Sequence, residues 1–248
     1  MIIYLLIFFV ASILFTMVGF GGGSVYVPLF TFLGYSLKEF SIPASLFLIF
    51  LSSLAGVSNY FKHKLIDYSA GINISISTMF FAFITKILFF DNISANFLWV
   101  MLGVVITILG IKMYFPETGI RLHFKSEKLK ILYYMFIGII IGFLSISIGF
   151  GGGSIMVPLL ILAGFEVKVA IGTSSFIIMI TGLSNFLVHF FTSFDKSKMG
   201  ELFLASFFVI AGGYLGSHLT SVKMSKKSIR LIMATLLTGL GIYILFTR

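Results

Sequence analysis

The chain has 248 residues, of which 59% are hydrophobic and only 10% are charged, and its mean hydropathy is +1.14. Soluble globular domains carry roughly 25% charged residues, so the composition excludes a soluble domain and indicates an integral membrane protein within a lipid bilayer. The formal net charge of +9 comes from Lys and Arg residues that lie mostly between apolar runs. The positive-inside rule explains this pattern, and no nucleic acid is expected as a partner.

Eight apolar runs follow one another along the chain, and most have the roughly 17–25 residues that a bilayer-spanning helix needs. The runs are apolar on all sides instead of alternating with a period of two, which favours helices over a β-barrel. The first run is expected to stay in the folded protein, because the basic region of a signal peptide is missing before it. We therefore predict an all-α polytopic membrane protein, with runs at 2–18, 41–61, 68–90, 96–114, 131–149, 170–191, 201–221 and 229–246.

A glycine motif occurs twice in these runs. Residues 19–29 read GFGGGSVYVPL and residues 149–159 read GFGGGSIMVPL, and 11 of 20 positions are identical between 19–38 and 149–168. The constant offset of 130 predicts two homologous membrane repeats, 1–114 and 131–248. The polar stretch 115–130 between them is basic, so it is predicted to be a cytoplasmic linker.

The basic loops leave two topologies open. If residues 1–34 cross the bilayer once as a broken helix, each half has four crossings, and the basic cluster at 223–230 faces outside. If 2–18 and 24–34 instead form a re-entrant hairpin, each half has five segments, and the loop at 62–64, the linker and the 223–230 cluster all face the cytoplasm. The second topology is favoured: inverted repeats, each with a glycine-broken hairpin and three spanning helices, and with both termini outside.

The two motifs are the first candidates for a binding site. Glycines permit left-handed torsions and a close approach of a ligand to the main chain, and the helix that follows each motif presents free N–H groups and the positive end of its dipole to an anion. The serine after the glycines is expected to cap that helix or to donate its hydroxyl. The alternative is that the glycines only pack helices closely. The candidates are Gly21, Gly22, Gly23, Ser24, Gly151, Gly152, Gly153 and Ser154.

Further polar residues within the apolar runs are candidate substrate ligands. The hydroxyls of Ser45, Thr173 and Ser174 are positioned to bind an oxyanion, or alternatively to pack helices. Asn59 falls opposite His189 at the offset of 130, and Asn185 lies one helical turn before His189. Polar residues in a membrane span are functional candidates by default, and a histidine there can donate to an anion or relay a proton; the alternative is a purely structural role.

The residue types that the apolar runs lack also bear on function. Carboxylates stand at the ends of the runs and not deep within them, so no buried cation site is expected. With no cysteine there is neither a disulfide nor a thiolate metal site. The sequence shows no nucleophile–base pair and no nucleotide-binding glycine pattern. Neither enzymatic activity nor a cofactor nor a metal is expected.

The two copies of G-F-G-G-G-S-x-x-V-P-L, together with AIGTSSFIIMITGLSNFLVH at 170–189, resemble the TauE/SafE family of sulfite exporters, also called the TSUP family of membrane permeases. The resemblance covers essentially the whole chain. It implies a multi-pass permease of the cell inner (plasma) membrane for sulfite or a sulfur-containing organic anion. The first half departs from the family pattern, because Pro43–Ala44–Ser45 stands where Gly-Thr-Ser would be typical.

Two transport mechanisms fit these observations. One is a secondary transporter whose two halves rock to give alternating access to a small anion. The other is an anion channel or passive pore of the same fold, in which the helix termini act as a filter.

Overall fold

The computed structural model describes residues 2–88, 95–115, 126–149 and 151–247. Within these ranges the protein is all-helical, which confirms the predicted fold class, and six helices are long and apolar enough to cross a membrane. Most of the predicted linker, residues 116–125, lies outside the described residues. The helices are α1 Ile2–Met17, α2 Gly23–Phe32, α3 Ile42–Lys62, α4 Tyr68–Leu88, α5 Ala95–Tyr114, α6 Glu127–Ile148, α7 Gly153–Leu162, α8 Val167–Thr192, α9 Met199–His218 and α10 Lys226–Thr247.

The helix boundaries recur at the same offset as the sequence motif. The bounds of α2, shifted by 130, are the bounds of α7, and a short π-helical turn at Leu37–Ser41 extends α3 to match α8 in the same way. Left-handed glycines recur as well, at Gly19, Gly21, Gly22 and Gly34 and again at Gly149, Gly151, Gly152 and Gly164. The two halves thus share their local conformation residue by residue.

Helices α2 and α7 fold back along the helices that precede them. The ring centroid of Phe8 in α1 lies 5.0 Å from that of Phe30 and 5.6 Å from that of Tyr26, both in α2. In the second half, the Tyr133 hydroxyl of α6 donates to the Leu159 carbonyl of α7 at 3.0 Å. With ten residues each, α2 and α7 extend about 15 Å at 1.5 Å per residue, which is about half of a hydrocarbon core.

The two halves are interlocked. Helix α1 packs in parallel on α9 of the other half, where Ser12 Oγ donates to the Val209 carbonyl at 2.7 Å and Thr220 Oγ1, just beyond α9, donates to the Met17 carbonyl at 2.7 Å. Helix α6 packs in parallel on α4, where Ser77 Oγ donates to the Met135 carbonyl at 2.9 Å. Each half therefore has its first long helix bonded into the other half.

Glycines bring these interlocked helices close together. A methyl carbon placed on Gly142 of α6 would lie 2.6 Å from the Thr78 carbonyl oxygen of α4, and one placed on Gly212 of α9 would lie 2.6 Å from the Phe9 carbonyl oxygen of α1. Small residues permit such backbone approach in membrane helices, where packing replaces the hydrophobic effect as the driving force. A larger side chain at these positions forces the helices apart.

Candidate functional site

The two glycine motifs lie against each other in the centre of the helix assembly. A methyl carbon placed on Gly153 would lie 2.6 Å from the Cα atom and 2.7 Å from the carbonyl oxygen of Phe20. Gly21 and Gly151 both pack on the side chain of Ile49 in α3. Segments 130 residues apart in the sequence thus come together, with the first residue of α7 packed on the chain just before α2.

Each motif starts its helix on a left-handed glycine. The N-cap residues are Gly22, with φ 88°, and Gly152, with φ 73°, and neither receives a side-chain capping bond. The N-cap position predicted for Ser24 and Ser154 is therefore wrong, because the helices begin one residue before these serines. The physical reason is that the glycine torsion already turns the chain into the helix, which puts each serine at the second helical position.

The first amide groups of both short helices have no protein acceptor among the described residues. The Gly22 carbonyl accepts from the amides of Val25 and Tyr26, and the Gly152 carbonyl accepts from those of Ile155 and Met156. The amides of residues 23 and 24, and of 153 and 154, donate to no described group. Such unpaired N–H groups carry the positive end of the helix dipole.

A buried hydroxyl lies at one of these helix starts. The Ser154 side chain is 1% exposed, and its Oγ atom has no hydrogen-bond partner within the described part of the chain. A buried hydroxyl without a partner costs free energy. An anion placed at the start of α7 would accept from this hydroxyl and from the amides beside it.

The carbonyl groups of the motifs, in contrast, are satisfied by serines. Ser45 Oγ donates to the Gly149 carbonyl at 3.2 Å, Ser174 Oγ donates to the Gly19 carbonyl at 2.8 Å, and Ser52 Oγ donates to the Gly21 carbonyl at 3.1 Å. The first two bonds cross between the halves. With these oxygens occupied and the amides open, the site offers hydrogen-bond donors, which suits an anion and not a cation.

Three residues that were predicted to bind substrate make structural contacts within the protein. The hydroxyls of Ser45 and Ser174 hold the glycine turns. Thr173 Oγ1 accepts from the Asp67 amide at 2.9 Å, which ties α8 to the loop between α3 and α4. All three side chains are fully buried. Their contacts match the packing alternative, while a role in binding substrate stays a prediction.

Asn59, Asn185 and His189 contact helices beside the glycine motifs and not the glycines themselves; Asn185 and His189 bond Ser145 and the Ile146 backbone, in the last turn of α6 before Gly149. Asn59 Nδ2 donates to Ser217 Oγ of α9 at 2.8 Å, and Asn185 Nδ2 donates to Ser145 Oγ of α6 at 2.9 Å. Asn59 lies ten residues beyond Ile49, about 15 Å along α3 at 1.5 Å per residue. Asn59 thus joins helices of the two halves, whereas Asn185 joins α8 to α6 within the second half.

His189 makes an equivalent contact near the end of α8. Its Nδ1 atom lies 3.4 Å from Lys86 Nζ of α4 and 3.2 Å from Ser193 Oγ. His189 and Lys86 correspond to Asn59 and Gly216 at the offset of 130. The α4–α8 contact thus carries basic groups where the matching α3–α9 contact uses amide and hydroxyl groups.

Sequence reasoning missed the residues that line the meeting point of the motifs. Ile49 and Ile178 are completely buried, and both pack on Gly21 and Gly151. Tyr26 packs its ring on Gly22. The spacing within each helix could have identified these isoleucines. Ile49 follows Ser45 by four residues and Ile178 follows Ser174 by four, so each isoleucine lies on the same helix face as a serine that bonds a glycine motif.

The similarity to known proteins covers nearly the full length of the chain. A family model described as "Sulfite exporter TauE/SafE" matches residues 4–244. The chain belongs to the TauE/SafE family. It is 25% identical to a probable membrane transporter protein of Methanocaldococcus jannaschii over 96% of this chain and 92% of the relative. It is 26% identical to the probable membrane transporter protein YunE of Bacillus subtilis, over 93% of this chain and 92% of the relative.

A third relative is a probable membrane transporter protein of Haemophilus influenzae, which is 26% identical over 97% of this chain and 94% of the relative. No solved structure matches the chain. This TauE/SafE protein is accordingly a membrane transporter, and the resemblance that its glycine motifs predict is confirmed.

Alanine substitutions at Gly22 and Gly34 distinguish the effect of close packing in the motif from the effect of backbone strain alone. Gly22→Ala is expected to lower the transport rate in proteoliposomes at least about tenfold, equivalent to about 1.4 kcal/mol, because the methyl group would lie 2.6 Å from Tyr26 Cζ. Gly34→Ala is the matched control: its φ of +87° equals that of Gly22 within a degree, but no atom lies within 4 Å. An equal loss of uptake in Gly34→Ala would show that strain alone, and not the motif, is responsible.

The serine-to-carbonyl bonds are expected to contribute to stability. Ser45→Ala and Ser174→Ala should each lower the free energy of unfolding by about 1–3 kcal/mol, since a buried carbonyl loses its donor. Thermal unfolding of the purified protein in detergent measures this, with Ser58→Ala as the control, because the exposed Ser58 of α3 bonds only within its own helix. A large rise in the KM for the transported substrate at unchanged stability would instead make these hydroxyls substrate ligands.

Proposed function

We propose that this TauE/SafE protein is a secondary transporter that carries a small anion, sulfite or a sulfur-containing organic anion, across the cell inner (plasma) membrane. The observation that carries the proposal is the meeting of two helix starts whose amides are open while the neighbouring carbonyls are occupied. The description of its family as sulfite exporters supports the choice of sulfur oxyanions. Transport requires neither a cofactor nor chemical change of the substrate.

The anion binds to main-chain groups instead of to an arginine. The starts of α2 and α7 supply amides and dipole ends of the same sign, and Ser154 adds a hydroxyl. Helix termini of this kind bind anions readily, and broken helices that point such termini at substrate carboxylates recur in transporters. The nearest contacts of the motif glycines within the described part of the chain include no Lys or Arg side chain, and binding by main-chain groups alone suits a carrier that has to release its substrate.

The proposed topology is a pair of inverted repeats, 1–114 and 131–248, with α1–α2 and α6–α7 as re-entrant hairpins. Helix packing supports it. Gly182 of α8 packs on Leu46 and Phe50 of α3 while Gly172 packs on Leu65 beyond α3, so the two helices are antiparallel. Helices α5 and α10 are antiparallel as well, since Gly103 packs on Leu245 while Tyr114 Oη bonds Thr235 Oγ1 at 3.0 Å. Corresponding helices of the two repeats thus run in opposite directions.

The interlocked helices restrict how this carrier moves. Rocking of the two sequence halves as rigid bodies would break the bonds of α1 to α9 and of α6 to α4. The moving units instead combine α1, α2, α3 and α9 on one side with α4, α6, α7 and α8 on the other. The contact of α3 with α8 is then the surface on which the two units turn.

Counterflow distinguishes the carrier from the passive pore. Proteoliposomes loaded with unlabelled sulfite should transiently accumulate labelled sulfite above its equilibrium level, because a carrier exchanges substrate. Ser154→Ala should raise the half-saturating sulfite concentration about fivefold, equivalent to the loss of about 1 kcal/mol, and Ser206→Ala is the control because Ser206 bonds within α9. Labelled sulfite that only equilibrates, without an overshoot, would favour the channel.

Single cysteines on this naturally cysteine-free chain test the topology. Lys62→Cys and Lys227→Cys should react with a membrane-impermeant maleimide only from the cytoplasmic side, and Lys198→Cys only from the outside. The end of α3, the start of α8 and the end of α9 lie together, which supports this grouping. Lys168 Nζ at the start of α8 bonds the carbonyl of Ser221, which follows α9, at 3.2 Å. Thr173 of α8 bonds the Asp67 amide in the loop that follows Lys62. Labelling of Lys227→Cys from the outside alone would restore the topology with four crossings per half.

A further inference from the structure

The space between the two glycine motifs is filled by two isoleucine side chains. A methyl carbon placed on Gly21 would lie 2.9 Å from Ile49 Cγ2 and 3.0 Å from Ile178 Cγ2. One placed on Gly151 would lie 3.1 Å from Ile49 Cδ1 and 3.7 Å from Ile178 Cγ2. Each isoleucine therefore touches the motifs of both halves, and both side chains are completely buried.

The two side chains come from the two helices on which the halves meet. Ile49 belongs to α3 and Ile178 to α8, and these helices are antiparallel neighbours at this level. Ile178 Cδ1 also lies 2.5 Å from a methyl carbon placed on Gly153, the first residue of α7. An anion held by the start of one short helix consequently faces methyl groups before it reaches the start of the other.

Isoleucine suits a barrier better than a flexible apolar side chain does. It is branched at Cβ and has one strongly preferred χ1 rotamer in a helix, so it does not swing aside while its helix stays in place. Its methyl groups offer no hydrogen bond to an anion, and transfer of a charge past them is costly. Passage then requires that α3 and α8 separate, and the width that they reach limits the size of the anion.

We propose that Ile49 and Ile178 form the barrier between the two glycine motifs and determine the size of anion that this protein transports. The assignment rests on the anion-transport function proposed above. It makes the two isoleucines specificity-determining residues that act by shape, beside main-chain donors that act by charge.

Flux of three probes of increasing size tests the assignment: sulfite, methanesulfonate and propane-1-sulfonate, each measured in proteoliposomes at one pH. Ile49→Ala and Ile178→Ala should raise the ratio of propane-1-sulfonate flux to sulfite flux about tenfold, the scale at which a pocket discriminates single methylene groups. Leu48→Ala and Ile177→Ala are matched controls, since both residues are completely buried in the same two helices but are not among the nearest neighbours of the motif glycines. Both controls should keep the wild-type ratio.

Conservative variants keep the test decisive where an alanine variant fails to insert. Ile49→Val and Ile178→Val remove one methylene each and should raise the same ratio by a smaller factor, with normal insertion. Wild-type flux of sulfite together with an unchanged ratio in all the Ile49 and Ile178 variants would overturn the barrier alone. Wild-type protein that moves none of the three probes would overturn the proposed function and the barrier with it.

Discussion

A peptide group inside a bilayer has no water to bond, so a helix that breaks there has to find partners for its N–H and carbonyl groups in the protein itself. This chain breaks twice, at Gly19–Gly22 and at Gly149–Gly152. The carbonyls at these breaks are bonded by serines, two of which reach across from the opposite half. The breaks in one half are thus stable only in the presence of the other.

This mutual dependence also explains the arrangement of the helices. Ser45 and Ser174 reach the opposite break only if α3 and α8 lie side by side, and each break lies at the centre only if its preceding helix packs on the far half. The pairs α1–α9 and α4–α6 meet that requirement, and glycines such as Gly142 and Gly212 allow the necessary backbone approach. The contacts that assemble the helices therefore also assemble the candidate site, and neither half forms a complete site alone.

The chemical character of the site follows from which groups remain open. Hydroxyl donors occupy the carbonyls of Gly19, Gly21 and Gly149, whereas the amides at the starts of α2 and α7 have no acceptor within the described ranges. The result is a concentration of donors in an apolar surrounding, where electrostatic interactions are strong. Selectivity for negative charge arises from the backbone, and side chains such as Ile49 and Ile178 are left to discriminate by shape.

The sequence by itself determined the features that depend on local chemistry. Uninterrupted apolar runs form helices whatever their neighbours, so the helical spans and the all-α membrane fold followed from composition and length. Glycine is the residue that adopts left-handed torsions without cost, so the duplicated triplet marked both chain breaks and the family. Only the tertiary structure decided what each polar side chain contacts. Gly22 and Gly152 are the N-cap residues in place of the serines, Asn59 and Asn185 bond neighbouring helices, and Ile49 lies against the glycine motifs. A side chain's partner is set by which helix packs alongside and not by the spacing of residues along one helix.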